Sequence, residues 1–159
     1  MSATTQTRER AVSSMPLQLP EGARILIICD HDSETDWLKT VFSEAGFLLE
    51  CAKSMTAGCE AAKSGRFHVV VSTPLLHDGS WRRLIDVASH YDLGFEIIIW
   101  ARNFDSSEWA EALNDGAFDV IDALYEKRRT IEIAKHALWA IYLKGVGPSS
   151  RTTSPHKAA

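Results

Sequence analysis

Between residues 23 and 143, short apolar runs alternate five times with segments whose apolar residues recur at helical spacing, and no other feature restricts the fold as much. Arg24-Ile-Leu-Ile-Ile-Cys29 is a continuous apolar run, the pattern of a parallel strand covered on both faces. Ser33 is placed to cap a helix bearing Trp37, Leu38, Val41, Phe42 and Ala45, which Gly46 stops. Phe47 to Ala52 reads as the second strand, and Ser54 opens a helix with Met55, Cys59 and Ala62 that ends at Gly65. The third strand closes at Ser72, and Ser80 is expected to cap a helix with Trp81, Leu84, Ile85 and Ala88 on one face. Glu96 to Trp100 is the fourth strand. Asp105-Ser-Ser-Glu108 has the form of a capping box before Trp109, Leu113 and the stop at Gly116. Ala117 to Ile121 is the fifth strand, and Ile131, Ala134, Leu138, Ile141 and Tyr142 mark the last helix. Five such units predict an α/β fold, a doubly wound five-stranded parallel sheet in three layers.

The ends read differently. Residues 1–22 and 144–159 are rich in Ser, Thr, Pro and Gly and lack periodic apolar positions, so both are expected to be flexible tails around one domain at 23–143. A chain of 159 residues with 45% apolar content is long enough to bury a core of its own. Its net charge of −4 gives no general pull toward nucleic acid. Three cysteines, none in a C-x-x-C pair, argue against a disulfide framework and fit a reducing cytoplasm. No window approaches 18 apolar residues, so no membrane span is expected.

In a doubly wound sheet the functional crevice lies at the carboxyl ends of the strands, where the strand order switches. The first strand delivers Cys29-Asp30-His31-Asp32 to that place, and the third delivers Ser72-Thr73. With "ILIICDHDSE", "HVVVSTPLLHDG", "IIIWAR" and "NDGAFDVID" in this order, residues 23–143 resemble the receiver domains of bacterial response regulators. The resemblance implies a flavodoxin-like strand order, 2-1-3-4-5. It also implies a site in which paired acids after the first strand bind Mg²⁺ and an aspartate ending the third takes a phosphoryl group from a histidine kinase. A hydroxyl residue ending the fourth strand and a lysine ending the fifth complete that site.

Set on this chain, those positions hold Cys29 and Asp30 for the acids, Ser72 for the phosphoacceptor, Trp100 for the hydroxyl and Ala123 for the lysine. Only Asp30 keeps the expected chemistry. The loop from Ser72 to Asp78-Gly79 is one residue shorter than in the family, and a shift of one place restores no acid, because Val69 to His77 contains none. A serine hydroxyl needs a base before it attacks phosphorus, and Mg²⁺ prefers carboxylate or phosphate oxygen to a thiol. The resemblance therefore implies a degenerate receiver, with no cofactor and no metal, that is not an enzyme.

Rival readings of the same residues are weaker. Ser72 with His77 or His31 suggests hydrolysis, but no G-x-S-x-G elbow surrounds it. Cys29, His31 and Asp32 are too close together on one strand end to close a metal site without outside ligands. Neither G-x-G-x-x-G nor a P-loop is present for a nucleotide. The different-class alternative remains an enzyme or small-ligand binder using the crevice of Asp30, Ser72 and Trp100.

What is left is a binding surface. On the last helix Ile133, Ala137 and Ala140 are expected to form a second apolar stripe, opposite the first and beside Trp139, suited to a homodimer contact. Lys127, Arg128 and Arg129 oppose the dipole at the start of that helix and suggest an acidic partner. The reading is a pseudo-receiver in two-component or phosphorelay signalling, acting through a signalling protein of unknown identity. It is either a whole chain or a fragment of a longer regulator.

Overall fold

A computed structural model describes residues 22–146. The strands are β1 (Arg24–Ile28), β2 (Leu48–Ala52), β3 (Val69–Ser72), β4 (Glu96–Ala101) and β5 (Asp119–Asp122). All pair in parallel in the order β2-β1-β3-β4-β5, as expected, with β2 and β5 at the edges. The helices are α1 (Asp32–Glu44), α2 (Met55–Ala62), α3 (Arg82–Tyr91), α4 (Ser106–Asn114) and α5 (Thr130–Val146). The last runs past the boundary expected at residue 143; apart from Gly22 and residues 144–146, the predicted tails lie outside the described residues.

Alternation along each strand divides the interior in two. Ile25, Ile27, Cys29, Val71, Ile98 and Trp100 face α1 and α5, whereas Leu26, Ile28, Val70, Ile97 and Ile99 face α2, α3 and α4. Each buried branched side chain contributes about 1.5–3 kcal/mol, which is why these runs are apolar on both faces. Gly58 lets α2 lie on β1: a Cβ there would run into the Ile28 side chain. Gly116, at φ +119°, makes the left-handed turn that sends the chain from α4 toward β5.

Local chemistry sets the helix starts. Ser54 Oγ accepts from the Ala57 amide at 3.0 Å, and Asp105 with Glu108 forms both bonds of the expected capping box. One expected cap is corrected: His31, not Ser33, precedes α1, and Ser33 Oγ instead meets His31 Nδ1 at 3.2 Å. At α3 Trp81 stands before the first helical residue with helical backbone angles of its own, and Ser80 Oγ accepts from the Arg82 amide at 3.1 Å, while Gly79–Ser80 also pairs with Leu75–Leu76 in a small ladder.

The predicted outer stripe of α5 is also corrected. Ile133 and Ala137 are 4% and 0% exposed and pack in the same core as Ala134 and Leu138. At 100° per residue, positions 133, 134, 137, 138 and 141 fill one sector about 140° wide, so the supposed second stripe is one flank of the first. The helix is apolar nearly all round, so its pattern leaves its rotation open and contact with the sheet decides it. Of the proposed interface only Trp139 and Ala140 remain partly exposed, next to Tyr142 and Leu143, each 53% exposed.

Candidate functional site

The carboxyl ends of β1, β3, β4 and β5 bring together the residues singled out in the sequence. Backbone bonds fix the register: the Cys29 amide donates to Ala52 O at 3.0 Å, Thr73 to Ile28 O at 3.0 Å and Ala123 to Ala101 O at 2.8 Å. Cys29, Trp100 and Ala123 share the core beneath α1 and α5, and Ser72 lies between Ile28 and Ile99.

Their chemistry is closed off. Ser72 is fully buried, and its hydroxyl donates to the neighbouring Thr73 carbonyl at 2.7 Å, away from His31 and His77. Burial pushes the Cys29 thiol pKa up, and the thiol donates to the His31 carbonyl at 3.7 Å. A protonated, buried thiol is a poor nucleophile and a poor ligand. Asp30 is exposed and has no ion-pair partner among the described residues. Asp32 pairs with Lys53 at 2.9 Å, and its pKa is lowered chiefly by that hydrogen bond. For the Mg²⁺ that the resemblance implies, the acids after β1 offer Asp30, with Asp32 engaged by a lysine, and among the described residues no three His, Cys, Asp or Glu side chains gather to hold a metal ion.

Trp100 takes the centre of the site. It is 1% exposed, its ring stacks on Trp37 with centroids 5.7 Å apart, and Lys127 Nζ lies 5.0 Å from the Trp37 ring centroid. A buried indole N–H needs an acceptor. Glu34 supplies it: Trp100 Nε1 donates to Glu34 Oε1 at 3.1 Å, and Glu34 Oε2 pairs with Arg102 at 3.1 Å. Glu34 and Arg102 close two of the quoted motifs, "ILIICDHDSE" and "IIIWAR", but neither is singled out there as a site residue. The signal was present, because Glu34, Leu38 and Phe42 repeat every four residues and put a carboxylate on the buried stripe of α1. One buried hydroxyl, Thr73 Oγ1, lacks a partner among the described residues.

No family model matches the sequence, and no curated protein matches it. Solved structures do. A signal receiver domain from Vibrio parahaemolyticus superposes with a TM-score of 0.73 at 14% identity, over 79% of this chain and 96% of that one. The signal receiver domain of an HD domain-containing protein from Pseudomonas fluorescens gives 0.69 at 15% identity, over 80% and 94%. A response regulator receiver domain from Clostridium thermocellum gives 0.66 at 20% identity, over 76% and 98%. The chain has the receiver fold. At these identities the likeness shows the fold and leaves the chemistry to the residues themselves.

Proposed function

We propose that this chain is a receiver-like signalling module of the two-component or phosphorelay type that has lost phosphotransfer and works by protein–protein interaction. It acts in the cytoplasm and catalyses no reaction. The observation that carries this reading is the Trp100–Glu34 contact: a buried indole tied to a buried carboxylate lies at the strand end that the family resemblance matches to the phosphoryl-binding hydroxyl. Ser72 and Ala123 support it, since neither supplies a carboxylate nucleophile or a cation for the transferred group.

The test is direct. With Mg²⁺ and acetyl phosphate the protein is expected to gain no phosphoryl mass, and beryllofluoride is expected to leave its amide NMR spectrum unchanged. A stoichiometric adduct on a crevice residue overturns the reading.

The interaction surface is assigned to the outer side of α5. There Trp139 stacks on Tyr142 with centroids 5.4 Å apart, and Leu143 projects beside them. Aromatic side chains grouped on a surface favour a protein partner. That partner is another signalling protein or a second copy of this chain.

A further inference from the structure

Two donors at the mouth of the sheet are spaced to hold one carboxylate. Trp100 Nε1 and the Arg102 guanidinium come from β4 and the turn after it, and each reaches a different oxygen of Glu34 at 3.1 Å. The acceptor arrives separately, from the first turn of α1. Glu34 is 9% exposed, whereas about half of the Arg102 side chain remains open to solvent, so the contact lies just inside the surface. Trp37 walls the site by stacking on Trp100, and Lys127 over Trp37 adds a second positive charge near it. The turn is itself held in an uncommon shape: Asn103, directly after Arg102, has φ +62°.

We propose that Trp100 and Arg102 form a carboxylate-binding site whose resident occupant is Glu34, and that a carboxylate from outside, such as an acidic side chain of a partner, competes for it. An indole N–H and a guanidinium offer hydrogen bonds and charge together, a combination that favours a planar anion with two oxygens. While Glu34 is in place, the turn at Arg102-Asn103 is tied to α1. When an outside carboxylate replaces it, the two donors stay satisfied and α1 is released from the turn. The exchange breaks one ion pair and forms another, with no covalent step. The proposal does not depend on whether phosphotransfer has been lost.

The Glu34→Ala protein, titrated with acetate against chloride at equal ionic strength and followed by NMR, tests this. The Trp100 indole N–H and the Arg102 resonances are expected to shift saturably. The unmutated protein should need roughly tenfold more acetate or higher, because the resident side chain competes. Shifts no larger in the variant than in the unmutated protein overturn the proposal, as do shifts spread evenly over surface arginines. Should Glu34→Ala fail to fold, Glu34→Gln decides. Its neutral amide still accepts from the indole but cannot pair with Arg102, so amide exchange at residues 102–105 is expected to quicken roughly tenfold. Unchanged exchange there overturns the proposal.

Discussion

Trp100 is buried like a core residue but bonded like a polar one, and the two roles separate by mutation. Trp100→Ala removes both and is expected to cost about 3–5 kcal/mol in urea denaturation. Trp100→Phe keeps a ring against Trp37 yet leaves Glu34 Oε1 without its donor, and should cost about 1–3 kcal/mol. A neutral Trp100→Phe would mean that water replaces the indole. The burial of Trp100 was legible in the sequence, because it ends an apolar strand. Its partner was not, because the two residues are 66 apart along the chain and only the packing of α1 brings them together. Asp30 and Ser72 were found from position alone, which identifies a strand end but not the direction in which a hydroxyl points.

At the scale of elements, the strands and the two pattern-based caps at Ser54 and Asp105 followed from local chemistry. The tie between α2 and the loop after β3 did not. Asp78 reaches across to α2, where its oxygens accept from the Met55 and Thr56 amides at 2.8 Å each. The Thr56 amide, with that of Met55 and others, holds the Asp78 carboxyl well below the usual carboxylate range. A depressed native pKa contributes stability above the ordinary value of 3.8 and loses it as the pH falls below that. Asp78→Asn is therefore expected to be less stable than the unmutated protein at pH 7, with the gap narrowing below about pH 4. Denaturation at several pH values measures it, and a gap independent of pH would show that the charge is not what matters.

For the whole molecule, the layer arrangement and strand order were predictable because periodicity and chain connection leave few alternatives. The rotation of α5 was not, because a helix apolar on most of its surface has no preferred face until the sheet supplies one. This changes what a surface mutation means. Ala137→Glu would put a charge in the core and is expected to cost roughly 3 kcal/mol or more, losing the fold and not an interface. Leu143→Glu lies outside and should change stability by less than about 0.5 kcal/mol. If α5 mediates self-association, light scattering will show a lower mass for Leu143→Glu than for the unmutated protein. An equal mass for both places the contact elsewhere.

The two sheet edges limit how this molecule meets others. An open strand edge invites another chain to extend the sheet, unless charge discourages it. On β2 the exposed edge carries Glu50, held by Arg66 from the segment before β3, and β5 begins and ends on Asp119 and Asp122. Asp119 lies 3.8 Å from Arg129 and Asp122 accepts from the Leu124 and Tyr125 amides, so a strand added at either border would lie beside charged side chains already held within the chain. Recognition by lending a strand is thereby disfavoured at both borders, and so is runaway stacking of like chains. Any contact that reads side chains presented by helices and turns is sensitive to single substitutions on those surfaces and indifferent to the backbone beneath.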